Sequence, residues 1–219
     1  MKDDAQTATK PKTRNAALTK ENILNVATRE FAERGYEGAS IEAIVLRCKI
    51  SKNLVYHYFD SKEGLFIEVM ERAYGAMRGR QNELSLSGDP VRDMRELVRK
   101  TIQHFIDQPD FHLLLSIENL HKAAHIRKST VIAQMFNPLR AALSQILEQG
   151  KQQGVFRQDA EWVDLYVSIS GLGAYAITNR YTLSYVLDVD LDSPERKASR
   201  LDHACEVVMS YLCDLGSSA

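Results

Sequence analysis

No run of apolar residues in the 219-residue chain approaches the ~20 that a membrane-spanning helix needs. The opening Met1-Lys2-Asp3-Asp4-Ala5-Gln6-Thr7 lacks the apolar stretch of a secretory signal, so a cytoplasmic protein without membrane partners is expected. Cysteine is scarce. Cys48, Cys205 and Cys213 fit no zinc spacing, and three reduced, buried thiols suit a reducing compartment. Strand signals are also missing: there is no sustained two-residue alternation, no hairpin dipeptide between such runs, and no repeat of 20–50 residues. Glycine-rich phosphate loops, nucleophile elbows and zinc-protease motifs do not occur. His104 and His112 stand at isolated helical positions, a surface pattern. No enzymatic activity and no cofactor is expected.

What remains is an ordinary globular composition, 44% hydrophobic and 26% charged. The net charge of −1 conceals a split. Through Lys62 the chain carries 11 Lys+Arg against 8 Asp+Glu, and beyond it 17 against 21. A weakly basic end on an acidic body permits nucleic-acid contact at that end.

Apolar periodicity predicts an all-α protein. Residues 1–17, with Lys10, Lys12 and Arg14, lack it and read as a flexible basic arm able to reach a minor groove or remain solvated. A first helix runs from Thr19 to Arg34, with Ile23, Ala27 and Phe31 at four-residue steps, and Gly35 ends it. Ser40, Ser51 and Ser61 cap a second, third and fourth helix. The stretch Leu84-Ser85-Leu86-Ser87-Gly88-Asp89 marks the domain boundary. The expected division is 1–17 arm, 18–78 first helical domain, and 89–215 second, larger helical domain. In that second domain Asp89-Pro90 opens a fifth helix, and Pro109 separates it from a sixth. Pro138 should kink or split a seventh. Asp159 caps an eighth, and Ser193-Pro194-Glu195 starts a ninth.

Residues 40–59 hold the sharpest signal: two short capped helices joined by Cys48-Lys49-Ile50, the spacing of a helix-turn-helix. On the third helix Val55 and Phe59 form an inward edge. Lys52, Asn53, Tyr56 and His57 share another face that carries no acid and suits phosphate oxygens and base edges.

These residues resemble the tetracycline-repressor (TetR) family of transcriptional regulators. The match runs through Ile23-Leu24, Ala27, Phe31-Ala32-Glu33-Arg34-Gly35-Tyr36, Ser40-Ile41, Ile44, Ile50-Ser51-Lys52, Val55-Tyr56-His57-Tyr58-Phe59 and Ser61-Lys62-Glu63. It covers about residues 18–78. Two departures stand out: Lys49 occupies the usual turn glycine, and Val45 replaces a usual alanine. The resemblance implies an N-terminal three-helix DNA-binding domain joined by a fourth helix to a larger helical bundle. It further implies a repressor that binds a palindromic double-stranded operator as a homodimer and leaves it when a small molecule binds. By the same resemblance, Ser40 and the amide of Lys62 would hold phosphates at helix N-termini. Tyr56 and His57 would hold the backbone, Lys52 and Asn53 would reach base edges, and Leu54 would touch a thymine methyl. Tyr58 lies nearer the apolar face and reads as core.

In the second domain, Phe105, Phe111, Glu118, Asn119, Phe136, Trp162, Tyr166, Tyr175 and Asn179 mix aromatic and polar groups as a pocket for an aromatic or amphipathic effector would. The same mixture occurs in any helical core. The eighth and ninth helices form the expected dimer interface through Ile169, Gly173, Leu201, Cys205, Val208 and Leu212, with intramolecular core as the alternative. Glu118, His121 and His125, at i, i+3 and i+7, either supply metal ligands or form a solvated polar edge. The second is expected, because no fourth ligand is marked.

Overall fold

The computed structural model describes residues 11–82 and 85–214. Helix follows helix: α1 (Pro11–Gly38), α2 (Ile41–Cys48), α3 (Lys52–Phe59), α4 (Lys62–Asn82), α5 (Pro90–Asp107) and α6 (Pro109–Leu120). A 3-10 turn (Ile126–Lys128) precedes α7 (Ile132–Met135), α8 (Asn137–Gln152), α9 (Trp162–Thr178), α10 (Arg180–Leu187) and α11 (Pro194–Cys213). No strand occurs among the described residues. The protein is all-α. Two compact units divide within α4, between Met70 and Glu71.

Residues 11–17, read from the sequence as part of an arm, belong to α1. Residues 1–10, including Lys10, lie outside the described residues, as do the side chains of Lys12 and Arg14, Leu84, and Leu215 at the end of the expected second domain. Gly35 breaks the helical path with φ 71° and ψ 174°, open to glycine and strained for other residues.

The first unit is built on Ile23, Ala27 and Phe31 of α1, Ile44 of α2, Val55 and Phe59 of α3, and Leu65 and Phe66 of α4, all buried. Phe31 meets Phe66 edge-on at 4.9 Å, and Tyr36 meets the same ring at 5.2 Å. Full burial of such a ring stabilises by about 1.5–3 kcal/mol. Gly64 permits the tight turn from α3 into α4: a Cβ there would stand 2.1 Å from the Phe59 carbonyl oxygen.

The second unit wraps a continuous core contributed by α5 (Met94, Val98, Ile102), α8 (Leu143, Ile146), α9 (Leu165, Ile169) and α11 (Cys205, Val208, Leu212). Asp89 caps α5 by accepting from the Val91 and Arg92 amides. Buried Asp93 fastens the preceding loop, accepting from the Ser87 and Gly88 amides and the Ser87 hydroxyl. Phe136 separates α7 from α8, immediately before the Asn137-Pro138 start of α8, as the proline demands.

Several expectations need correction. Glu161, not Asp159, stands at the N-cap of α9, and Asp159 is drawn instead to Arg157 at 2.6 Å. Cys205 is buried, but Cys48 is half-buried and Cys213 exposed. His104 and His112 are core residues at 1% and 4% exposure, each packed against Phe105 and Phe111. The expected interface residues Ile169, Cys205, Val208 and Leu212 are 0–2% exposed inside their own protomer. Gly173 faces Phe105 of α5, and Leu201 is half-buried against the same core. Apart from half-buried Leu201, they have almost no surface to offer a partner. The intramolecular alternative describes them.

Candidate functional site

The α2–α3 corner is fixed by caps at both helices and by a strained residue between them. Ser40 Oγ accepts from the Ala43 amide at 3.0 Å, and Ser51 Oγ from the Leu54 amide at 3.3 Å. Lys49 takes the left-handed conformation, φ 55° and ψ 46°, and its N–H donates to the Leu46 carbonyl at 3.3 Å. A side chain in that region carries a steric cost of ~1–2 kcal/mol, which the packed corner sustains. Behind the corner, Glu30 is 1% exposed and joins Arg34 at 3.4 Å, Arg47 at 3.3 Å and the Ser40 amide at 3.4 Å. One buried carboxylate thus ties α1 to the start and end of α2. Sequence patterning did not single it out.

Val55 and Phe59 anchor α3 from within, at 1% and 3% exposure. Lys52, Asn53, Tyr56 and His57 lie on the exposed side, and Leu54 is half-buried. Tyr58 turns toward α1, its hydroxyl donating to the Ala16 carbonyl at 3.4 Å. Ser61 Oγ accepts from the Gly64 amide at 2.9 Å and caps α4. The Lys62 ammonium donates to the Glu37 carbonyl at 3.3 Å and lies 4.9 Å from the Tyr36 ring centre.

The face is not free of acid. Glu42 of α2 accepts from Lys52 at 2.5 Å, and the Lys52 ammonium also lies 5.7 Å from the Tyr56 ring centre. The hydrogen bond from Lys52 holds the Glu42 carboxyl below the usual carboxylate range. The same bond holds the ammonium above the usual lysine range. Reading α3 alone could not reveal this, because the acid arrives from the preceding helix.

Six of the nine residues expected to hold an effector fall in three separate places, and the other three in none of them. Phe136, Trp162 and Tyr166 meet: Phe136 is 5.0 Å from Tyr166 and 6.3 Å from Trp162, with Arg78 4.8 Å from the Phe136 ring and Arg140 5.0 Å from Trp162. Phe105 and Phe111 join Met77 in a small buried cluster. Glu118 is 2% exposed and closes the reversal after α6, accepting from the His125 amide at 2.8 Å, the Ile126 amide at 3.0 Å and His125 Nδ1 at 2.7 Å. Glu118 and His125 are therefore a buried pair, not a solvated edge. His121 meets His125 edge-on at 5.1 Å, and no metal-competent group of three ligands occurs among the described residues. Asn119 and Tyr175 are exposed, and the Asn179 amide donates to the Tyr175 carbonyl of its own helix.

A cavity of about 210 Å³ opens elsewhere in the second unit, among residues of α5, α9, α10 and α11, and none of those nine residues lines it. Its walls include Ile102, Ile106 and Ile177, with Arg180, Lys197 and Arg200 at its polar side. Periodicity did not mark the three cations as pocket residues, because α10 has no core-facing stripe and α11 reads there as a charged surface.

Residues 23–69 match the family model described as bacterial regulatory proteins, tetR family, and residues 90–208 match a tetracyclin repressor-like C-terminal domain. The HTH-type transcriptional repressor NicS of Pseudomonas putida is 34% identical over 198 residues, which cover 90% of this chain and 93% of that protein. Among solved structures, the ketosteroid transcriptional regulator KstR2 of Mycobacterium tuberculosis superposes with a TM-score of 0.68 at 17% identity, covering 95% of this chain and 99% of that one. The TetR family transcriptional regulator PfmR of Thermus thermophilus gives 0.63 at 20% identity, covering 85% and 96%. Helix-turn-helix geometry and sequence agree: the chain belongs to the tetR family of bacterial regulatory proteins.

Proposed function

We propose that the chain is a cytoplasmic transcriptional repressor that binds a palindromic operator as a homodimer and is released by a small-molecule effector. The carrying observation is the exposed α3 face, where Lys52, Asn53, Tyr56 and His57 project from a helix anchored by Val55 and Phe59. Lys52 and Asn53 reach base edges in the major groove, with Leu54 available to a thymine methyl. Tyr56 and His57 hold phosphates and fix the register. Ser40 and Lys62 hold phosphates at the start of α2 and α4. The name of the Pseudomonas relative, a transcriptional repressor, supports repression over activation.

A reader of eight residues needs a twofold copy to cover a dyad site. The surface that serves is the outer face of α9 and α11. Val163, Val167 and Tyr175 are 49%, 61% and 61% exposed, and Val207 and Tyr211 of α11 are 40% and 43% exposed. On α9 these positions repeat every four residues through Gly171, where an added Cβ would meet nothing within 4 Å. An uncovered apolar stripe with a small residue at its centre lets a second copy of the same helix approach closely. A closed twofold pair buries it on both protomers.

Release follows from linkage: an effector dislodges DNA only if it binds better to the dimer whose α3 helices no longer match successive grooves. The test is a fluorescence-anisotropy titration of the full chain on palindromic fragments from beside its own coding region, against scrambled DNA. Binding tighter to one palindrome by about 10³ or more supports the reading. Equal binding to every fragment contradicts it.

A further inference from the structure

The cavity in the second unit has an unusual charge balance. Its lining carries Arg180, Lys197 and Arg200 but a single acid, Asp192. Asp192 is shared: Lys197 meets it at 2.7 Å and Arg180 Nε at 3.6 Å. The lining therefore holds three cations to one acid, and the ion pairs of that acid go to Lys197 and Arg180 rather than to Arg200. Arg180 is otherwise held by backbone and phenol, donating to the Ile177 carbonyl at 2.8 Å and the Tyr181 hydroxyl at 2.9 Å. Arg200 donates to the Leu172 carbonyl at 3.2 Å, and its Nε is buried with no hydrogen-bond partner. The N–H groups that a guanidinium turns toward a cavity are best met by an anionic acceptor, which makes charge-assisted bonds to them.

The rest of the wall is hydrocarbon: Ile102 and Ile106 of α5, and Ile177 of α9. Gly173 keeps this side narrow, its ideal Cβ position lying 3.1 Å from Ile102. The volume of about 210 Å³ falls below the ~300–1,000 Å³ of pockets for drug-sized ligands.

We propose that this cavity is the effector site and that it takes a small apolar monocarboxylate, one ring or a compact branched chain in size. The apolar body lies against the isoleucines, and the carboxylate is held by the cationic side formed by Arg180, Lys197 and Arg200. Asp192 already shows that this cluster accepts a carboxylate oxygen. A second acid, such as a dicarboxylate would bring, has hydrocarbon to face at the other end and is disfavoured. This assignment rests on the reading of the chain as ligand-responsive, and it replaces the aromatic residues selected from sequence.

The test is isothermal titration of the full chain with benzoate, phenylacetate and cyclohexanecarboxylate, each paired with its neutral amide. Wild type should bind at least one acid about tenfold or more tighter than the matching amide, because only the acid makes charge-assisted bonds. Arg200→Gln should weaken that acid by about tenfold or more and leave the amide unchanged. Lys197→Gln is the second variant: its side chain is 35% exposed, so the fold tolerates its loss, and it should weaken the same acid. Acids that bind no tighter than their amides, or that bind both variants as tightly as wild type, overturn the assignment. A parallel anisotropy measurement on DNA separates the two readings. Acids that bind as described without displacing DNA leave the site standing and contradict release by effector. Displacement by a compound indifferent to Arg200 and Lys197 keeps the regulator and overturns this site.

Discussion

The Lys52 ammonium is joined to the Glu42 carboxylate across the α2–α3 turn, so the one lysine of the candidate reading helix already has an acid partner. DNA must take Lys52 from Glu42 or bind both in a changed arrangement. Glu42→Gln should therefore tighten binding to all duplexes by roughly threefold to tenfold, because an acid that repels the phosphates is removed, with a correspondingly steeper salt dependence. Anisotropy titrations across a salt series check this. Unchanged affinity and slope would show that the pair does not compete with DNA.

Tyr56 and Lys52 should separate by the kind of loss they cause. Tyr56→Phe removes a phosphate partner and should weaken cognate and altered operators alike, by about 1 kcal/mol. Lys52→Ala removes a base contact and should relax discrimination at one base pair per half-site by about 1–3 kcal/mol. Binding curves on an operator-variant panel distinguish them, and the opposite pattern would exchange the two roles.

Two glycines two residues apart on α9 should behave oppositely. Gly173→Ala forces a methyl to 2.7 Å from the Phe105 ring and should destabilise the fold by about 1–3 kcal/mol. Gly171→Arg meets open space, so the melting temperature of the isolated protomer should hold while the dimer is lost. Light scattering and urea denaturation of both variants read this out. A dimeric Gly171→Arg protein would remove α9 from the interface.

His112 gives the protein a defined acid sensitivity. Burial, and secondly the nearby His104, lower its imidazole from the ordinary 6.5 to about 4. The unfolded chain takes up a proton in that window and the native state does not. The stability contributed by the neutral ring is complete above pH ~6.5 and is lost as pH falls toward ~4, by about 3 kcal/mol in all. His112→Leu should flatten this part of the profile, since Nε2 has no hydrogen-bond partner to lose. Urea midpoints between these pH values test it, and identical slopes in the two proteins would refute it.

Much of the reading unit was legible because its signals are local. Ser40, Ser51 and Ser61 cap the helices they precede, and Lys49 takes the left-handed turn. The second unit was less so, for identifiable reasons. Alpha-9 is apolar on both faces, so periodicity could not tell inward Gly173 from outward Gly171. Helix α10 escaped notice because Tyr181, Tyr185, Val186 and Leu187 are 57–88% exposed and form no buried stripe. The spacing of Glu118, His121 and His125 was read as one helical face, but Lys122 and Ala123 adopt φ 54° and 63° and reverse the chain between them. The pair therefore meets across a turn that sequence spacing does not encode. The cavity cations are scattered over α10 and α11, and only folding brings them to one side.

The central claim is that two α3 helices enter successive major grooves of one duplex. Hydroxyl-radical footprinting of the full chain on its best palindromic fragment measures this directly. Two symmetric protected patches should appear with centres ~34–36 Å, or a multiple of that, apart along the helix axis, and both should vanish together in the Lys52→Ala, Tyr56→Phe double variant. A single patch, unsymmetric protection, or a footprint untouched by those substitutions would contradict the account.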